Sequence, residues 1–466
     1  MRRNQEHPQE VRLLIPEMEQ LDFVSREIAR MESTLRKARN QGNGLSPRAR
    51  PLIQRVSSVL RRGTKAELHK YFEPRLVSIG PLHHGNPRFK RSEQAKFKLA
   101  AHFAEENGIP AKSLFDNIKA EISELRKCYN PDDIKEYDDD RLAWMFFVDG
   151  SAILFTVHKI VERKFEELKT KVDRLVFAQV DVFLLENQLP YRVLQILIES
   201  SKEPEIWKNS ITKFIAQSLL TNIESVRQSQ PEDVPNGAPD RDNYAHLLER
   251  LREEHLTGPT EKNSNSIIGG MFLYCGDSRK HRKTYRSIKE LRESGIRVKP
   301  SNTNNLKNIS FHCNFLGSLR MPVLLVDDSS AFKFMNLVAL ETCLDYENDF
   351  SITSYLCFLD SLIDTAEDVK ELRVKGMLHN YMGSDQEVAD LFNNMSRDLV
   401  PDQGIYCEVA ENIHKYCNNP WTTTVAQTYY THFSSPWTVF AFLGAIFYVV
   451  LTVVPVYLSF RDGSKH

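Results

Sequence analysis

The sequence predicts a mainly α-helical protein: a large helical body with a small antiparallel β element and one C-terminal transmembrane helix. Three observations lead there. Apolar residues recur at three- and four-residue steps over most of the chain. Strand-like runs are confined to ISFHCNFLGSLRMPVLLVDD, residues 309–328. Near the end, WTVFAFLGAIFYVVLTVVPVYLSF runs for 24 residues from Trp437 to Phe460 without a charge, and about 20 such residues span a bilayer.

A chain of 466 residues, 41% hydrophobic and 26% charged, has an ordinary globular composition. Its order reads as an N-terminal helical extension (1–50), a body (51–430), the membrane helix (437–460) and a short tail (461–466). In the extension, Leu21, Val24, Ile28, Met31 and Leu35 form one helix face, ended by Gly42 and Gly44. The stretch SPRARPLIQRVSSVLRRGTKAEL (46–68) reads as a loop with a short surface helix. Residues 92–127 are helical, with Phe97, Ala100, Ala101 and Phe103 on their apolar side.

Two strongly apolar segments follow, DRLAWMFFVDGSAILFTVHKI and DRLVFAQVDVFLLENQLPYRVLQILIES. Neither reads as a membrane span. The first carries Asp149 at its middle, where insertion costs about 2.5–3.5 kcal/mol; the second holds Asp181, Glu186, Asn187, Gln188 and Arg192. Both are expected as core helices, with a bend at Asp149-Gly150 and an interruption at Pro190. Residues 228–267 read as a polar, flexible excursion around one short helix. Helices resume at AFKFMNLVALETCL and continue to the membrane segment, with a break at Pro420.

Charge is uneven. The first 100 residues hold 21 Lys and Arg against 10 Asp and Glu, and the remainder holds 40 against 52. A solvated basic surface accounts for the front end. The seven cysteines lack metal or disulfide spacing and read as reduced thiols.

The chemical inventory is sparse. His83 and His84 in VSIGPLHHG (77–85) are the obvious suspects, yet no HxxxH, HExxH or Cys/His set accompanies them. Asp149, Asp181 and Glu186 are acids embedded in apolar sequence, and a buried carboxylate must be paired, hydrogen-bonded or protonated. Asn187 and Gln188 precede Pro190 and are placed to satisfy backbone groups there. The expectation is that His83 or His84 joins these acids in a fold-defining network. No phosphate loop, dinucleotide fingerprint or nucleophile elbow occurs. The reading therefore has no catalytic residue, cofactor, metal or nucleic-acid partner.

Several stretches together resemble a plant family, domain of unknown function 247: VSIGPLHHG, MFFVDGSAILF (145–155), DVFLLENQLP (181–190), ITSYLCFLDSLIDTAEDVKEL (352–372) and SSPWTVFAFLGAIFYVV. Order and spacing match from about residue 65 onward. Leu82 stands where the family usually has Tyr, and Ser151 where a bulky residue or Cys follows the DG. The resemblance implies a plant protein with a helical body and one C-terminal membrane helix, and no established activity. Some grass members look like pollen-side determinants of self-incompatibility.

The leading expectation is a membrane-anchored protein that binds the bilayer through residues 437–460 and recognises a protein partner, with docking surfaces at 17–39 and 228–267. Lacking an apolar leader, the body is expected in the cytosol, at the plasma membrane or an endomembrane. Arg461 and Lys465 argue for the opposite orientation by the positive-inside rule. Asn308 (NIS) and Asn394 (NMS) are glycosylation acceptors only in that case. The alternatives are a membrane-bound hydrolase or transferase using His83 or His84 with the buried carboxylates, and a passive tether or scaffold.

Overall fold

The computed structural model describes residues 25–26, 28–33, 53–62, 68–168, 170–221, 244–257, 287–301, 303–313, 317–344, 346, 349–402, 404–419 and 436–463. Two compact units divide the chain, Met1–Arg50 and Pro51–His466. In the first, residues 25–26 and 28–33 are helical; the rest of the expected stripe lies outside the described residues.

In the second unit the longer helices are α1 (Lys90–Asn107), α2 (Ala111–Ala120), α3 (Asp139–Val161), α4 (Val172–Asp181), α5 (Tyr191–Glu199), α6 (Pro204–Gln217), α7 (Leu247–Leu256), α8 (Ser330–Glu341), α9 (Ser351–Leu362), α10 (Ala366–Val374), α11 (Asp385–Met395), α12 (Cys407–Cys417) and α13 (Pro436–Gly463). Most of their apolar faces merge into one core. At its centre is α3, against which α1, α2, α5 and α6 pack. This helix is long and apolar enough to cross a bilayer, but 83% of its apolar window is buried inside the fold. Asp138 starts it by accepting from the Arg141 amide at 2.8 Å, a side-chain cap for otherwise orphaned donors.

Asp149-Gly150 makes no bend. Both residues lie inside α3. A Cβ on Gly150 would meet Leu197 at 2.8 Å and Val193 at 3.0 Å, so the glycine lets α5 approach closely. The second apolar segment also differs from expectation. Its helix stops at Asp181, nine residues before Pro190, and residues 182–190 form a buried irregular link before α5.

The β element is small but not purely antiparallel. The strands are β1 (Arg297–Pro300), β2 (Ser310–Cys313), β3 (Gly317–Met321), β4 (Leu324–Val326) and β5 (Leu378–Asn380). One sheet has the order β1-β3-β2, with β1 parallel and β2 antiparallel to β3. A second pairs β4 with β5 in parallel. The hairpin-like run at 310–321 supplies the antiparallel pair; β1 and β5 arrive from outside it, a long-range pairing that local pattern does not encode.

From the 228–267 stretch, α7 packs against α6 and α8 with Leu247, Leu248 and Leu251 buried; residues 228–243 and 258–267 lie outside the described residues. Of the helices expected on either side of Pro420, the first is α12, and residues 420–435 are likewise outside. Cys407 is disulfide-bonded, which corrects the all-reduced expectation, while Cys128, Cys313, Cys343, Cys357 and Cys417 form no disulfide.

Candidate functional site: a buried polar cradle beneath the Gly-Pro corner

Residues 74–80 are irregular and pair with no strand among the described residues. Buried backbone donors and acceptors must still be paired. Side chains from elsewhere do it. The Asp181 carboxylate accepts from the amides of Arg75, Leu76 and Val77 at 2.9, 2.7 and 2.9 Å. Asn187 accepts from the Ile79 amide at 2.7 Å and donates to the Val77 carbonyl at 3.0 Å. The Asp149 carboxylate accepts from the Gly80 amide at 2.8 Å, and Lys96 donates to the Ser78 carbonyl at 2.7 Å. Three carbonyl or carboxylate partners also close the charge of Lys96, since Asp149 and Glu93 lie 2.6 and 2.8 Å away.

The link at 182–190 is built the same way. The Gln188 amide donates to the carbonyls of Val182 and Leu184 at 2.7 and 2.8 Å, and Asn187 donates to the Asp181 carbonyl at 2.8 Å. Pro190 is the N-cap of α5. From α8, Asn336 accepts from the Leu185 amide and donates to the Tyr71 carbonyl, both at 2.8 Å. Gly80 joins the two segments. Its φ is +68°, and a Cβ there would lie 2.6 Å from the Gln188 carbonyl oxygen, so only glycine fits.

Glu186 forms a separate cluster. It accepts from the Val56 amide at 2.7 Å and from the Arg61 guanidinium. Its second oxygen faces Arg55 at 3.9 Å and the His83 Nε2 at 3.7 Å. Neither that oxygen nor His83 Nε2 has a hydrogen-bond partner among the described residues. Burial lowers the His83 pKa below 6.5; Glu186 opposes this, and Arg55 and Arg61 add to it. Burial likewise pushes Asp181 up, against the pull of its three backbone donors.

The two histidines diverge. His83 faces Glu186, whereas His84 faces Glu93 at 3.7 Å and sets its ring edge-on to Tyr137. The structure thus places Asp149, Asp181, Asn187 and Gln188 on backbone that they hold in place, brings His83 to Glu186, and leaves His84 with none of the three acids. Five partners are absent from the sequence reading: Lys96, Glu93, Arg55, Arg61 and Asn336. Lys96 carried a signal, because it lies on the same helix face as Ala100 and Phe103, all three buried.

The Asp149 and Asp181 carboxylates accept from backbone amides, and Asp149 also pairs with the Lys96 ammonium. No group of three or more His, Cys, Asp or Glu among the described residues is placed to hold a metal.

Comparison with known proteins agrees with the motifs. The family model described as "Plant protein of unknown function" (DUF247) matches residues 53–451. UPF0481 protein At3g47200 of Arabidopsis thaliana is 30% identical over 422 residues, covering 85% of each chain. A second UPF0481 protein of that plant, At3g02645, is 22% identical over 486 residues, covering 84% of this chain and 89% of its own. No solved structure matches. The stretches that build the cradle, VSIGPLHHG and DVFLLENQLP, fall inside the matched region, and the chain belongs to the plant DUF247 family.

Proposed function

We propose that the protein is anchored in a bilayer by residues 437–460 and acts there by protein–protein recognition. The observation that carries this is α13. It runs 28 residues, and every described side chain from Trp437 to Val454 is exposed, among them Phe440, Phe442, Leu443 and Phe447. A helix that is apolar all round needs an apolar surrounding, and at 1.5 Å per residue it is about 42 Å long, enough for the hydrocarbon core.

Two features support one orientation. Disulfides such as that of Cys407 persist in oxidising compartments, and the basic tail residues Arg461 and Lys465 match a cytoplasmic end. Both support a body outside the cytosol, opposite to the cytosolic body expected from the sequence.

The recognition surface we favour is aromatic. Phe97 and Trp144 are 56% and 46% exposed, and the Trp144 ring lies tilted against those of Phe97, Phe115 and Phe147 with centroids 5.5–6.1 Å apart. Exposed aromatic patches of this kind mark partner sites. Self-recognition, as implied for some grass relatives, is one form such binding takes.

Alkaline carbonate extraction of the full chain and of a chain lacking residues 437–466 tests the anchor. The full chain should stay with the membrane and the truncated one should leave it; release of both overturns the anchor. For recognition, proximity labelling with the full chain and with Phe97→Ser/Trp144→Ser should differ by a discrete set of neighbours. Identical sets would remove the patch from the argument.

A further inference from the structure

A cavity of about 120 Å³ lies beside the cradle, between α1, α3 and α4. Its wall is almost wholly apolar, with Leu76, Ile79, Ile153, Leu175, Val182 and Phe214 on it. At one end are Asp149 and Lys96, which neutralise each other at 2.6 Å. The other end reaches solvent, since Thr170 and Arg174 line it and are exposed. A single water needs about 10–15 Å³, and an apolar cavity near 150 Å³ takes up a benzene ring and stays dry without it. This one is therefore sized for one ring or a short branched chain.

The mouth adds a charge. Arg174 has no ion pair or side-chain hydrogen bond among the described residues, and neither has the half-buried Gln179, which also lines the cavity. An arginine fork matches a carboxylate in two parallel bonds. The neutral inner end offers no second charge to satisfy. We propose that the cavity is a binding site for a small apolar carboxylate, its hydrocarbon part inside and its carboxylate on the Arg174 guanidinium and the Gln179 amide. The site does not depend on the anchor or on the aromatic patch.

The test uses the full chain in lipid nanodiscs, with empty nanodiscs as the reference, and phenylacetate and its neutral isostere phenylacetamide as probes in calorimetric titration. Phenylacetate should bind saturably and at least tenfold more tightly than phenylacetamide. Arg174→Gln, an exposed substitution, should weaken phenylacetate at least tenfold and leave phenylacetamide unchanged. Ala178→Phe, which fills the cavity, should abolish both. No saturable binding of either probe, or phenylacetate binding that Arg174→Gln does not alter, overturns the proposal.

Discussion

The Lys96 ammonium lies 2.6 Å from the Asp149 carboxylate with both side chains almost wholly buried, and together they hold two backbone positions on either side of Ile79, Ser78 and Gly80. The pair thus fixes the chain at the Gly-Pro corner as well as closing its own charge.

Removing one member strands the other. Lys96→Met should cost about 3–5 kcal/mol in denaturant unfolding, the usual penalty for an uncompensated buried charge. Burial opposes the charge on Lys96, but Asp149 and Glu93 outweigh it and raise the pKa above 10.5. A raised lysine stabilises fully below its unfolded pKa, so this contribution is complete below pH 10.5 and is lost as pH rises through the raised value. The alkaline step should be missing from Lys96→Met.

Asn187→Ala removes the partner of the Ile79 amide and of the Val77 and Asp181 carbonyls. Each stranded buried group costs about 1–3 kcal/mol, so a loss of about 3 kcal/mol or more is expected. A melting temperature within one degree of wild type would show that residues 74–80 find other partners.

His255 predicts the reverse. It is fully buried, and neither ring nitrogen has a partner among the described residues. Burial, with Lys333 adding, lowers its pKa to about 3. The unfolded chain therefore binds this proton first, and stability should fall by up to about 4 kcal/mol as pH drops from 6.5 to 3. His255→Phe should match or exceed the wild-type stability at pH 7 and flatten that acid arm. Equilibrium unfolding across the pH range reads both.

Topology predicts a modification pattern. Asn394 is exposed on α11, whereas Asn308 is buried and donates to Thr303 at 2.8 Å. With the body outside the cytosol, Asn394 should carry the single glycan at these two sites. Endoglycosidase treatment should shift the wild type, and Asn394→Gln should remove the shift. An unglycosylated protein from plant cells would favour a cytosolic body.

The helical class, the core character of α3 and the importance of the ENQLP run were legible because periodicity and buried polar residues are local signals. The pairings were not. Asp181 as an acid in apolar sequence says that it needs partners, but not that these are three amides a hundred residues upstream. The histidines drew attention by their chemistry, yet only His83 reaches an acid, and the backbone beside them proved to be what the acids hold.

Sequence alone determined that the chain is mainly helical, which long apolar run carries Asp149 and so is no simple span, and which family the chain resembles. Those properties follow from side-chain type and spacing within one turn or one strand. Tertiary structure alone decided that α4 ends at Asp181, that the β pairing is mixed, that Gly80 presses on the Gln188 carbonyl, and that an apolar cavity opens at Arg174. Each depends on two segments distant in the chain meeting at van der Waals or hydrogen-bond distance, and only the folded packing sets that distance.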